Sequence, residues 1–139
     1  MSFEEKGRWA YMIVVLIVSA VYFAGVLGQV GVIPVSEIGY VRPMITAIIA
    51  TIVATIVAYI VVAISAPSEA DKKDERDKNI NRFGESIGYS VLGLLILLPL
   101  GLAMAEFEPF WIANAIYLAG VLAATISSIV KIVAYRRGF

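Results

Sequence analysis

The chain has no cysteine and no histidine among its 139 residues, and only 16% of its residues are charged. The missing thiols and imidazoles exclude disulfides, thiol catalysis, Cys/His zinc sites, Ser-His triads and histidine-ligated haem. Hydrophobic residues make up 60% of the chain, whereas a soluble domain has about half apolar and about a quarter charged residues. This balance indicates a membrane protein, and the length allows one compact domain, 1–139.

Four apolar stretches are long enough to cross a bilayer as helices. A spanning helix needs about 20 mostly apolar residues, because it rises about 1.5 Å per residue across a hydrocarbon core of about 30 Å. Strands of a membrane barrel alternate and are about half as long, so these runs favour helices. The chain is therefore predicted to be an all-α integral membrane four-helix bundle of two antiparallel hairpins. The predicted spans are 9–28, 44–65, 87–105 and 110–135, with a charged linker helix over 68–86.

Basic residues are distributed unequally between the two sides of the predicted bundle. Ten of the eleven Lys and Arg residues lie before span one, between spans two and three, or at the end of span four, and only Arg42 lies on the other side. The positive-inside rule therefore predicts that both termini and the central linker are cytoplasmic. Lys131 lies near the end of span four, where its stem is expected to extend to the membrane interface.

The linker between spans two and three is the only strongly polar segment. Ser68 and Asp71 form an S-x-x-D pattern that is typical of a helix start, and a bend is expected near Gly84. A calcium loop beginning at Asp77 is excluded, because Arg82 stands where such a loop needs glycine. Acidic and basic residues alternate, with a net charge of +1 over 71–82. The pattern indicates a solvated, salt-bridged helix and does not indicate nucleic-acid binding.

Small residues recur at four-residue spacing in three of the spans. Lipid supplies no hydrophobic drive between helices, so close approach at small residues provides the packing. Packing within one bundle is the first interpretation, and an interface with a second copy or a partner is the other. The candidate packing residues are Ala20, Ala24 and Gly28 of span one, Ala50, Ala54 and Ala58 of span two, and Gly120, Ala124 and Ser128 of span four, which has a second row at Ala119, Ala123 and Ser127.

The polar groups inside the predicted spans are hydroxyls and one amide, and no ionisable residue lies near a midplane. Hydroxyls can bond to a carbonyl of the preceding turn. Asn114 is expected to hydrogen-bond to a neighbouring helix, either as a structural contact or as a contact to a ligand. Pro99 predicts a kink in span three. The sequence predicts no catalytic residue, no metal and no cofactor, and the chain is not expected to be an enzyme.

Two segments resemble a known group of proteins. The run DERD at 74–77, followed by GESIGY at 84–89, resembles the DERD…GxxxGY pattern of small uncharacterised prokaryotic four-span membrane proteins. The run FWIANA at 110–115, followed by SS, K and YRRG, is similar to their last span and tail. The resemblance covers 71–139 and implies an inner-membrane protein without an established activity. It singles out as candidate interaction residues Asp74, Glu75, Arg76, Asp77, Trp111, Asn114 and Lys131.

The leading hypothesis is an accessory or interaction subunit of the cytoplasmic membrane. Its charged linker and basic tail would engage a partner or anionic headgroups, and its small-residue faces would pack against other helices. The alternative is a small oligomeric channel or transporter formed by dimerisation around spans two and four. A third hypothesis is an immunity or stress-response protein. The expected partners are the lipid bilayer and either a second copy of the chain or another membrane protein, with no nucleic acid.

Overall fold

The computed structural model describes residues 1–70 and 72–139, and its regular structure is helical. Four helices are long and apolar enough to cross a membrane, with α3 and α4 forming one of them. The predicted all-α bundle of a multi-pass membrane protein is confirmed. The α-helices are α1 (Phe3–Leu27), α2 (Val41–Ser65), α3 (Glu75–Leu95), α4 (Leu97–Met104) and α5 (Pro109–Arg137), with a short 3-10 helix at Val35–Glu37.

The two ends of the bundle differ in their charge. Both termini and the segment between α2 and α3 belong to one end, which we call the charged end; its sequence contains ten basic and eight acidic residues. The connections 28–40 and 105–108 belong to the other end, which we call the loop end. The loop end contains one basic and three acidic residues. The ends therefore carry net charges of +2 and −2, and the assignment of the charged end to the cytoplasm stays a prediction.

The helices lie in a row. α5 packs along α3, α4 and α1, while the main neighbour of α2 is α1. In the most apolar window of α2 only 6% of the residues are buried, compared with 28% in both α1 and α5. The two central helices, α1 and α5, therefore make most of the internal contacts, and α2 and α3–α4 form the two edges.

The charged helix α3 begins at Glu75, so the predicted start at Ser68 is wrong; Asp71 lies outside the described residues. The Asp74 carboxylate accepts a hydrogen bond from the Asp77 backbone N–H at 2.7 Å, and the Asp77 carboxylate accepts one from the Asp74 N–H at 3.2 Å. This reciprocal capping box satisfies two backbone donors and starts the helix seven residues later than predicted.

The expected bend near Gly84 is also wrong, because α3 continues through this residue to Leu95. The helix is interrupted at Ile96, between α3 and α4. Pro99 has no backbone N–H to donate to the Leu95 carbonyl, and its ring crowds that carbonyl. The interruption therefore lies one turn before the proline, in the span in which the sequence predicts a kink.

An aromatic and aliphatic core lies near the loop end. Tyr22 and Val26 of α1, Ala47 of α2 and Phe110 of α5 are buried together. Ile38 of the long connection joins this cluster and is only 4% exposed. The connection between α1 and α2 thus packs partly onto the end of the bundle.

Candidate functional site: a polar network at the charged end

Four polar side chains meet where α1, α3 and α5 converge. Arg8 Nη2 and Lys131 Nζ both donate to the Asn81 Oδ1 atom, each at 2.8 Å. Asn81 Nδ2 in turn donates to Glu85 Oε1 at 2.8 Å, and Lys131 Nζ lies 3.7 Å from the same carboxylate oxygen. We call Arg8, Asn81, Glu85 and Lys131 the Asn81 network. It joins three helices through one amide that uses both its acceptor and its donor.

Lys131 is the most deeply buried member, with 4% of its surface exposed. The expectation that it extends to the interface is wrong, because its stem lies against Gly84 and its amine is bound to α3. A Cβ added at Gly84 would come within 2.6 Å of Lys131 Cε. The glycine therefore provides the space for the stem, and Asn81 and Glu85 provide the acceptors that make burial of the ammonium tolerable.

A second glycine continues this close contact between α3 and α5. Gly88 is buried, and a Cβ added to it would lie 3.0 Å from Ser127 Cβ. Ser127 Oγ donates to the Gly84 carbonyl oxygen at 2.8 Å. Gly84 and Gly88 have the GxxxG spacing that allows two membrane helices to approach closely. This spacing is visible in the sequence, but the expectation of a bend near Gly84 overlooks the packing role of the two glycines.

Further contacts fasten the start of α3 to the end of α5. Tyr135 Oη donates to Asp77 Oδ1 at 3.0 Å, and Arg76 Nη2 donates to the Tyr135 carbonyl oxygen at 3.1 Å. Asp77 therefore has two structural roles, since it also belongs to the capping box of α3. These bonds hold the first turns of α3 in a defined position on α5.

The N-terminal turn of α1 is joined to the same region by its two acidic residues. Glu5 Oε1 accepts from Arg136 Nε at 3.1 Å, and Glu4 Oε1 lies 3.6 Å from Lys73 Nζ. Both carboxylates are buried, while their basic partners are largely exposed. The Arg136 guanidinium also lies over the Trp9 ring, 5.7 Å from its centroid. Carboxylates in the first turn also interact favourably with the helix dipole.

The seven candidate interaction residues do not form one site. Asp74 and Asp77 cap α3, Arg76 and Lys131 bond across the α3–α5 contact, and Glu75 pairs with Lys78 of its own helix at 2.8 Å. Trp111 and Asn114 lie on the first turns of α5, near the loop end. Most of these side chains are therefore committed to contacts within the chain.

Asn114 makes the expected hydrogen bond to a neighbouring helix. Tyr22 Oη donates to Asn114 Oδ1 at 2.7 Å, and Asn114 Nδ2 donates to the Phe110 carbonyl oxygen at 2.8 Å. The side chain is buried, and both ends of its amide have a partner within the chain. This geometry favours the structural contact over a contact to a ligand. Trp111 is half-buried, with its ring 5.1 Å from that of Phe110.

We expect Tyr22→Phe to lower the free energy of unfolding by about 1 kcal/mol, the usual size of an inter-helix hydrogen bond in lipid. The matched control is Tyr117→Phe, because its ring lies 4.9 Å from that of Tyr22 and no hydrogen bond of its hydroxyl is found among the described residues. The measurement is unfolding in mixed micelles. If both variants lowered the free energy of unfolding equally, the Tyr22–Asn114 hydrogen bond would make no specific contribution to stability.

Some of the candidate packing residues are buried or half-buried within the bundle, and the others are exposed on its surface. Ser128 is buried, and Ala50, Ala54, Ala58 and Ala124 are half-buried. The interpretation as packing within one bundle is wrong for the exposed members; on α1 the row that is buried lies about 170° further around the helix, on nearly the opposite side. The buried row of α1 is Val15, Ser19, Tyr22 and Val26, and the exposed candidates are Ala20, Ala24, Gly28 and Gly120.

Comparison of the chain with known protein families, with curated proteins and with solved structures finds no significant match. The resemblance inferred from the sequence therefore stays a hypothesis. Within residues 1–70 and 72–139, no three acidic side chains are close enough together to hold a metal ion.

Proposed function

We propose that this multi-pass membrane protein is a non-enzymatic accessory subunit that binds another membrane protein through the outer face of α3. By outer face we mean Glu75, Lys78 and Arg82, which are spaced to lie on one side of the helix and are all exposed. The observation that carries the proposal is the division of α3 into two faces. The opposite face, with Ile80, Gly84 and Gly88, is buried against the bundle.

The outer face is held in position before any partner binds. The capping box fixes the first turn of α3, and the contacts of Asp77, Asn81 and Gly84 attach the helix to α5 and α1. A charged surface on a preorganised helix loses little conformational entropy on binding. Among the described residues, Arg82 has no carboxylate within ion-pair distance, so its charge is available to a partner.

The apolar part of the proposed interface lies within the membrane. Ala20, Ala24 and Gly28 remain exposed on α1 at the spacing that favours close helix approach. A partner helix in this region would bury surface that now contacts lipid. The excess of basic residues supports a cytoplasmic position for the charged end, in the inner membrane of a prokaryote.

We expect the double variant Lys78→Glu with Arg82→Glu to reduce recovery of a hetero-complex about tenfold, because opposite potentials at the interface would become like potentials. The measurement is mild-detergent purification from native membranes, followed by the mass of the intact complex. The matched control is Lys72→Glu with Arg137→Glu, which makes the same change of charge at exposed positions of the charged end.

Loss of the partner in the first variant and retention in the control would support the proposal. Equal recovery in both variants would overturn it. A homo-oligomer as the only assembly would also overturn it, and solute flux through that oligomer in liposomes would establish the alternative of a small channel or transporter.

A further inference from the structure

A groove of about 660 Å³ lies between α1 and α2 on the loop-end side of the bundle. Its size falls within the range of about 300–1,000 Å³ that is usual for small-molecule sites. Gly25, Ala47 and Ala50 leave the groove open, and Ile17 and Val21 provide apolar side chains along it. The groove faces outward from the row of helices, so lipid has direct access to it.

The polar groups of the groove are concentrated at its loop end. Arg42 and Gln29 line the groove there, while the lining residues deeper along α1 and α2 are nearly all apolar. Arg42 is the only basic residue of the loop end and forms no ion pair within 1–70 and 72–139. A guanidinium matches the geometry of a phosphate group and can bind it through two parallel hydrogen bonds.

The start of α2 adds a second attraction for an anion beside Arg42. No side chain of the described residues caps this helix at Tyr40. Pro43 has no N–H, so the backbone donors of this first turn are those of Val41 and Arg42, which carry partial positive charge and are suited to bind phosphate. The side chain and the helix terminus thus place two anion-attracting groups at the same end of an apolar groove.

The length of the groove matches one leaflet. The lining residues of α1 from Ile17 to Val26 span nine helical steps, or about 14 Å along the axis. Half of the hydrocarbon core of a bilayer measures about 15 Å. An acyl chain can therefore lie along the groove while its headgroup stays at the level of Arg42.

We propose that this groove binds one anionic phospholipid, with the phosphate at Arg42 and the start of α2 and an acyl chain between α1 and α2. The proposal goes beyond the accessory role and does not depend on it, since the outer face of α3 lies at the opposite end of the bundle and the row Ala20, Ala24 and Gly28 does not line the groove. The bound lipid fills space that α1 and α2 leave open, and it adds contacts to the edge helix that has the least burial.

The test is native mass spectrometry of the full chain, delipidated in mild detergent and then given phosphatidylglycerol or phosphatidylcholine. We expect wild type to retain phosphatidylglycerol with about tenfold preference, because both lipids carry a phosphate but the choline ammonium of phosphatidylcholine repels the Arg42 guanidinium. Arg42→Gln should abolish the preference, and Gly25→Leu should abolish retention of both lipids by filling the groove. A Cβ at Gly25 has no atom within 4 Å, so the variant does not clash within the chain.

The controls are Gly93→Leu, which makes the same substitution at another open glycine of a spanning helix, and Arg137→Gln at the charged end. Both should retain the lipid as wild type does. A photoactivatable phosphatidylglycerol tail should label residues 17–50 in wild type, which tests the site without a variant. Equal retention by Gly25→Leu and Gly93→Leu, or labelling only elsewhere, would overturn the proposal. Conversion of a dimer to a monomer by Gly25→Leu, with unchanged lipid retention, would assign the groove to a second copy and overturn it as well.

Discussion

Replacement of Gly88 by leucine is expected to lower the free energy of unfolding by about 3 kcal/mol, the upper part of the range for overpacking of a close contact. A Cβ at this position would lie 3.0 Å from Ser127 Cβ and 3.6 Å from the Ala123 carbonyl oxygen. The rest of a leucine side chain would have to displace α5. Because Ser127 also donates to the Gly84 carbonyl, separation of the helices would break that bond too.

The matched control for Gly88→Leu is Gly93→Leu, which lies on the same helix and has open space around its added side chain. Its effect should stay within about 0.5 kcal/mol of wild type. The measurement is the denaturant midpoint in mixed micelles, followed by helicity or by tryptophan fluorescence. If the two leucine variants unfolded at the same midpoint, close approach at Gly88 would not be what holds α3 to α5.

The second large effect is expected for Asn81→Leu, which removes the shared acceptor of the Asn81 network. Lys131 would keep only the carboxylate of Glu85, at 3.7 Å, and Arg8 would lose its hydrogen-bonded partner. Loss of a partner from a buried charge costs about 3 kcal/mol or more. We therefore expect the free energy of unfolding to fall by about 3 kcal/mol in the same measurement. The attachment of α1 to α3 and α5 should also be weaker.

The neighbouring residue Asn79 offers the control for this substitution. It is exposed, and no side-chain hydrogen bond of Asn79 is found in the described part of the chain, so Asn79→Leu should have little effect. Asn81→Asp should lose less stability than Asn81→Leu, because the carboxylate still accepts from both cations, although it no longer donates to Glu85 and repels that carboxylate. A loss in Asn81→Asp as large as in Asn81→Leu would contradict the role of Asn81 as an acceptor for two positive charges.

The spanning helices could be predicted because the relevant signal is local. Each helix satisfies its own backbone hydrogen bonds, and its apolar length must match the bilayer, so composition along the chain is sufficient. The start of α3 was harder to predict, since Ser68 and Asp74 both belong to patterns that can begin a helix. The reciprocal bonds between Asp74 and Asp77 satisfy two donors at once and favour the later start.

The candidate site could be predicted only in part. Asn114 was expected to bond to another helix because its amide cannot be satisfied within its own turn, and its partner is Tyr22. The position of Lys131 was predicted wrongly, because a lysine near a helix end can either extend to water or turn inward. Gly84 and Asn81, which lie some 50 residues away in the sequence, make the inward direction favourable here.

Apolar runs and the placement of basic residues therefore follow from the sequence alone, since both depend on how each segment meets the bilayer. The order of the helices in the row, the burial of Lys131 and the groove beside Arg42 depend on which faces meet. Small residues occur on several faces of these helices, and four-residue spacing does not reveal which row is covered. The three-helix contact around Asn81 and the fit of Ser127 against Gly88 select the covered rows, because polar satisfaction and close packing require particular partners from distant parts of the chain.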